Sequence, residues 1–358
     1  MQRRAFGKTD LDVSAISLGC WIFGVDWWGH YTDDRAVELC RFSHDLGVTF
    51  FDNGDAYGNG RAETVFGKFL RETPSVRREQ VEIGSKFGYD FYSDPGTPGS
   101  HRERKQDFAP QFMRSSLEKS LNRLGVEYID LYMAHNIKLP QFRDDLWAEL
   151  EKVKDEGKIK AWGVSLGPAI GWREEGFKAM LEHGAKAVQT VYNLFEQHPG
   201  REFCETAVAT GGGVMARVHD NSSILKDVVK IDTQIDTNDH RKFRDLAWKI
   251  YGTKKVELIR HYASDHGMTV HQLACKWLLQ QPGMTTITGT LLNEHEIREA
   301  CEAVEKPDLS TAELSQLAHD YARDWDLGPD AHPCDLKSSA TETGTIRSGY
   351  VPSPVLIA

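Results

Sequence analysis

Short runs of Val, Ile, Leu, Phe and Tyr alternate along this chain with longer segments whose apolar residues recur every third or fourth position. The short runs are apolar at nearly every position, the pattern of parallel strands covered on both faces. The longer segments carry one apolar stripe, as in LEKSLNRLG at 117–125, where the glycine supplies a helix stop. This patterning predicts strands over 16–21, 49–53, 81–87, 129–134, 159–165, 187–192, 214–218 and 285–288. It predicts helices over 33–46, 62–72, 108–124 and 144–156, with further helices between the later strands. Eight repeats of strand and helix favour a closed (β/α)8 TIM barrel over an open doubly wound sheet. The open sheet would carry a glycine-rich phosphate fingerprint after its first strand, and none is present. Gly211-Gly212-Gly213 precedes a strand and reads as a turn.

Three segments exceed a minimal barrel. Residues 3–13, centred on Lys8-Thr9-Asp10, are expected to form an N-terminal β-hairpin closing the barrel floor. Residues 219–238 form an extended polar loop leaving the seventh strand, and loops of that length in a compact domain tend to be functional or disordered. Residues 327–358 lack periodicity and are either mobile or laid across the surface. The expectation is one barrel domain over 1–326, followed by a tail over 327–358 with no independent domain.

Composition narrows the partners. A net charge of −10 with no block of Lys or Arg argues against nucleic acid or an anionic membrane, since both need a concentrated basic face. The six cysteines are scattered, without a CxxC pair or a histidine at metal spacing, so no metal is expected. No apolar run approaches a bilayer span, and the N-terminal MQRRAFGKTDLD is not expected to be a signal peptide. A reducing cytoplasmic location with free thiols is the resulting expectation. Oligomeric state is not legible.

The chemistry concentrates in Asp52, Tyr57, Lys86 and His135, which sit at or just past the ends of three consecutive predicted strands. In a (β/α)8 barrel such ends converge on one face, where active sites form. A free phenol has a pKa of about 10 and is a poor acid at neutral pH. The Lys86 ammonium is expected to lower the pKa of Tyr57, with Asp52 holding the lysine charged. His135 would bind the substrate oxygen or share the proton relay. Together these groups form a proton-transfer site suited to carbonyl reduction. Trp21, Phe23, Trp27 and Trp28 follow the first strand, and Tyr89, Phe91 and Tyr92 follow the third. These aromatic faces suit apolar aldehydes, aryl ketones or the C–H face of a sugar.

These motifs resemble the aldo-keto reductase superfamily, in family order from about Arg4 to Ala300. FGKTDLDVSAISLGCWIFG is similar to the family's hairpin and first strand. FFDNGDAYGNGRAETVFGKFL carries the matching Asp52 and Tyr57, GSKFG the lysine, and YIDLYMAHN the histidine. GKIKAWGVS and AVQTVYN match the fifth and sixth strands. The resemblance implies a nicotinamide dinucleotide bound in an extended pose across the catalytic face, NADP(H) ahead of NAD(H). Gly19, Cys20 and Trp21 would lie along it beside Asp52, while Ser165 and Gln189 would hold the carboxamide. Arg217 and Val218 would border the nicotinamide, where many members stack an aromatic; a guanidinium plane can also stack. The loop from His219 would cover the pyrophosphate. Gly289, Thr290 and Asn293 would meet the adenosine phosphate end, with Arg298 as the nearest cation. Trp21, Trp27, Trp28, Tyr57, Tyr89 and His135 would line the substrate side.

Two departures from the family pattern stand out. Leu166 replaces the usual Asn after Gly163-Val164-Ser165, and Glu294 and Glu296 lie where NADPH-preferring members present cations, which leaves NADH open. His135 in place of a carboxylate resembles carbonyl reducers, not reducers of carbon–carbon double bonds. The expected activity is NAD(P)H-dependent reduction of an aldehyde, ketone or sugar carbonyl with Tyr57 as general acid. The alternatives are a sugar or alcohol dehydrogenase working oxidatively, and a non-catalytic nicotinamide-binding regulatory subunit. A phosphate-binding barrel isomerase or aldolase with Lys86 as Schiff-base nucleophile would leave Tyr57 and Asp52 without roles.

Overall fold

The computed structural model describes residues 1–96, 104–167, 172–331 and 354–357. An antiparallel hairpin, β1 (Arg3–Ala5) and β2 (Asp12–Ser14), precedes the main sheet. Eight parallel strands then close a barrel: β3 (Ile16–Gly19), β4 (Phe50–Asp52), β5 (Glu82–Phe87), β6 (Ile129–His135), β7 (Ile159–Ser165), β8 (Ala187–Val191), β9 (Gly213–Arg217) and β10 (Met284–Gly289). Each pairs with the next in chain order, and β10 closes the ring against β3.

Helices wrap the outside: α1 (Asp33–Asp45), α2 (Arg61–Glu72), α3 (Pro110–Leu124), α4 (Asp144–Asp155), α5 (Arg173–Phe177), α6 (Gly200–Thr210), α7 (Leu246–Asp265), α8 (Val270–Leu279), α9 (Glu294–Ala303) and α10 (Thr311–Ala322). Their ends follow local chemistry. Thr32 caps α1 through its hydroxyl, and capping boxes start α8 (Thr269 with Gln272) and α10 (Ser310 with Glu313). Gly125 stops α3 in the left-handed region at φ 71°, as the sequence predicts.

The core has two layers. One, between sheet and helices, holds residues such as Phe51, Tyr132, Val164 and Val214. The other fills the barrel with Phe50, Leu131, Met133, Ala161, Ala187 and Met215, sealed from below by Phe6, Leu11 and Val13 of the hairpin region. The expected floor-closing hairpin is therefore present, and Gly211 and Gly213 serve a helix end and a strand start. At the other end of the chain, Ala331 is buried and its carbonyl accepts from Lys255 Nζ at 2.5 Å. Ordered packing thus runs a few residues into the expected tail, most of which lies outside the described residues.

Candidate active site

The two-residue period of the strands builds the site. Phe50 points into the barrel and Phe51 outward, so Asp52 points inward again one step higher. The same alternation runs from Leu131 and Met133 to His135, from Ala161 to Ser165, from Ala187 to Gln189 and from Met215 to Arg217. Apolar side chains fill the lower levels and polar ones the top, all at strand C-terminal ends. Tyr57 comes from the turn after β4, held by Tyr57 N–H to the Gly54 carbonyl at 3.0 Å and Ala62 N–H to the Tyr57 carbonyl at 3.2 Å. Gly24 permits this placement: a Cβ there would lie 2.5 Å from the Tyr57 carbonyl carbon. Gly60, at φ 93°, starts α2 in a conformation that a side chain would strain.

The Lys86 ammonium is fully buried and donates to Asp52 Oδ1 and to the Asn53 carbonyl, each at 2.6 Å. The Tyr57 phenol is also within its reach, and the ammonium lies 4.8 Å from the tyrosine ring centroid. Asp52 uses its second oxygen as well, accepting from Gln189 Nε2 at 2.9 Å, while Ser165 Oγ donates to Gln189 Oε1 at 2.7 Å. A continuous chain Ser165–Gln189–Asp52–Lys86 therefore crosses the barrel mouth. It joins two residues expected at a carboxamide to two expected in proton transfer.

Burial sets the protonation states. The Tyr57 phenol stands above its usual range because desolvation outweighs Lys86 and Arg217, with Asp52 pushing the same way. The expected lowering by Lys86 is present as a contribution but does not set the net direction. Burial also pushes His135 well below its ordinary value, with help from Lys86 and Arg217, so its ring is neutral. The His135 ring meets Tyr57 at 5.7 Å and Tyr89 at 5.0 Å, both edge to face.

Among the described residues, His135 Nδ1 and Arg217 Nε are buried polar atoms without a hydrogen-bond partner. Buried donors and acceptors without partners are costly, so a polar ligand that satisfied them would be favoured. Arg217 is otherwise held by the Leu166 carbonyl at 2.8 Å and the Gly167 carbonyl. Leu166 thus contributes its carbonyl oxygen to the site while its side chain is buried in the core.

Trp21 follows β3 in a 3-10 turn, Cys20–Phe23, that replaces the predicted end of the first strand. Its ring contacts Trp27 at 4.8 Å and Trp28 at 5.3 Å, both edge to face, and Tyr57 at 6.3 Å. His240, on the loop after β9, stacks on Trp27 at 4.8 Å and 23°. Sequence reasoning did not single out His240, because the loop gives no local signal of where it folds. The Cys20 thiol is buried and points to the Leu18 carbonyl at 3.8 Å, so only the Cys20 backbone is left to border a ligand.

At the far end, Asn293 caps α9 through its own carboxamide oxygen, which accepts from Glu296 N–H. Lys226, unmarked by the sequence, is buried there. Its ammonium donates to the Thr290 carbonyl at 2.6 Å and meets Glu296 at 2.7 Å and Asp220 at 3.3 Å. Glu294 pairs with Arg35. The guanidinium of Arg298, exposed on α9, lies 5.2 Å over the Phe42 ring of α1.

A model of the Aldo/keto reductase family matches residues 15–320. Among the relatives, an L-glyceraldehyde 3-phosphate reductase of Escherichia coli (strain K12) is 28% identical over 333 residues, 88% of this chain and 91% of that protein. A probable voltage-gated potassium channel subunit beta of Arabidopsis thaliana is 27% identical over 320 residues, 87% of this chain and 93% of that one. The solved structure of a glycerol dehydrogenase from Gluconobacter oxydans superposes with a TM-score of 0.77 at 24% identity, covering 90% of this chain and 95% of that chain, a likeness of fold.

Proposed function

The chain belongs to the aldo/keto reductase family, and from that premise we propose that it is an NAD(P)H-dependent carbonyl reductase with Tyr57 as general acid. The observation that carries this reading is the buried Lys86 ammonium, fixed by Asp52 and the Asn53 carbonyl beside the Tyr57 phenol. Burial keeps the phenol protonated through neutral pH, which suits a group that gives a proton to a carbonyl oxygen as it gains negative charge. His135 is neutral and has a buried Nδ1 without a partner, leaving its ring ready to orient that oxygen.

The nicotinamide, when bound, supplies the hydride. The residues present fit such a group: Ser165 and Gln189 are pre-ordered by the chain running to Asp52, and Arg217 Nε awaits a polar partner. Gly19, Cys20 and Trp21 would border it from β3, and Val218 from β9. Gly289, Thr290 and Asn293 would meet its phosphate end. NADP(H) is placed first because Lys226 puts a buried cation at the start of α9; Asp220 and Glu296 balance that charge and make NAD(H) the alternative. Arg298, exposed on α9, would assist there. The substrate is read as an aldehyde, ketone or sugar carbonyl entering past Trp21, Trp27, Trp28 and Tyr89. A short phosphorylated aldehyde comes first in a panel, after the bacterial relative. The same residues run the oxidative direction.

No described helix is long and apolar enough to cross a membrane, and the five described cysteines are free; a cytoplasmic setting is part of this proposal. The plant channel-subunit relative favours a second reading, a nicotinamide-binding regulatory subunit. Parallel titration with NADPH and NADH, followed by tryptophan fluorescence and then by turnover on the carbonyl panel, separates the cases. Binding with turnover supports the reductase, binding without turnover on any carbonyl or alcohol favours the regulatory subunit, and binding of neither cofactor overturns both.

A further inference from the structure

Beneath the loop that leaves β9, three side chains with metal-ligating atoms, drawn from two distant stretches of the sequence, converge. His219, His271 and Cys275 place their ligand atoms within 4.8 Å of one another, and all three are buried. His271 and Cys275 are four residues apart on α8, which sets them on one face of the helix. His219 enters from the opposite side. It follows Val218, whose φ of 54° is a conformation that β-branched residues rarely adopt, and the chain turns inward there.

The two imidazoles face each other through Nε2 at 2.9 Å. Two nitrogen lone pairs do not share that space unaided, so a proton or a cation lies between them. His271 is already oriented for the second case: its Nδ1 pairs with Glu299 at 2.7 Å, and Thr269 Oγ1 fixes the same carboxylate at 2.6 Å. A carboxylate on the far ring nitrogen is the usual support of a metal-bound histidine. The Glu299 and Asp220 carboxylates act on the cluster electrostatically, and the ammonium facing it, Lys226, is already paired with Asp220 and Glu296. A shared proton would explain the ring pair and leave Cys275 without a role.

We propose that His219 Nε2, His271 Nε2 and Cys275 Sγ bind a zinc ion, with water in the fourth position. Borderline nitrogen and sulfur donors in a three-ligand set suit this ion. With Zn–N of about 2.0–2.1 Å, tetrahedral angles separate the two nitrogens by about 3.3 Å, so the rings open by a few tenths of an ångström on binding. The ion ties the loop after β9 to α8 and, through Glu299, to α9. It closes a structural clamp beneath a loop that faces the catalytic mouth. The linear spacing hides the set, because His219 lies 52 residues from His271.

The test is metal analysis of the purified full chain, followed by chelation and reconstitution with cobalt(II). One zinc per chain is expected. Cobalt should give tetrahedral d–d bands and a thiolate charge-transfer band, and chelation should lower the thermal midpoint. Cys275→Ser should remove the charge-transfer band, and Glu299→Gln should weaken zinc by about ten- to a hundredfold. Well-folded protein with substoichiometric zinc, no thiolate band and an unchanged midpoint on chelation overturns the site and leaves a hydrogen-bonded histidine pair. If Cys275→Ser fails to fold, the wild-type cobalt spectrum and chelation midpoint decide alone. Neither readout depends on turnover, so failure here is distinct from failure of the reductase reading.

Discussion

The Lys86 Nζ stands 2.6 Å from Asp52 Oδ1, and neither side chain reaches solvent to any useful extent. A buried pair of this kind does not by itself add stability, but removing one partner leaves the other charge stranded. Lys86→Met is therefore expected to destabilise the fold by about 3–5 kcal/mol and to cut turnover by at least about a hundredfold. Lys86→Met with Asp52→Asn should recover most of the stability, since Gln189 still finds an oxygen acceptor, and none of the activity. Urea midpoints and single-turnover rates on the two proteins check this. Recovery of activity in the double variant would remove the lysine from the chemistry.

Tyr57→Phe keeps the ring against Trp21 and His135 and deletes only the hydroxyl. Turnover is expected to fall by about 10²–10⁴-fold while cofactor titration and thermal midpoint stay near wild type. A variant that turns over normally would refute Tyr57 as the acid.

His135 gives a pH signature. Its folded pKa lies well below the ordinary 6.5, so the unfolded chain takes up this proton first as pH falls. The contribution to stability is fully present above about pH 6.5 and is lost on acidification toward the folded value, with a slope up to about 1.4 kcal/mol per pH unit. Other groups titrate in the same range, so the quantity to measure is the difference in acid limb between wild type and His135→Gln. That variant should show the shallower slope between pH 6.5 and 4.5; superimposable limbs would count against the buried neutral ring.

Trp27 bridges Trp21 and His240 at the mouth, away from the proton-transfer groups. Trp27→Ala is expected to raise KM by roughly three- to tenfold, matching aromatic contacts of about 0.5–1.5 kcal/mol, with kcat little changed. Steady-state kinetics on an aryl and an aliphatic carbonyl would check it, and the aryl substrate should lose more. A fall in kcat alone would instead place Trp27 in the chemistry.

Much of the fold and the centre of the site was legible in the chain, for a local reason. Strand and helix periods report which residues share a face, and a two-residue period that fills the barrel with Phe50, Leu131 and Met133 also points Asp52 and His135 into its mouth. The motif from Phe51 to Gly60 carried Tyr57 with its glycine turn. Ser165, Gln189 and Arg217 came from the family resemblance, and the alternation of their strands brings them to the same mouth. None of this depends on how distant helices meet.

Only the tertiary structure decided the rest. The net direction of the Tyr57 pKa depends on how deeply the closed barrel buries the phenol, and desolvation there exceeds the pull of Lys86. Arg298 lies over Phe42, and Lys226 is locked between Asp220 and Glu296, by helix and loop contacts that the sequence does not show. His219, His271 and Cys275 meet because α8 packs beneath the loop after β9. Periodicity fixes the direction of a side chain about its own element. Which element it then meets is set by barrel closure and by long-range packing, and those are properties of the folded chain.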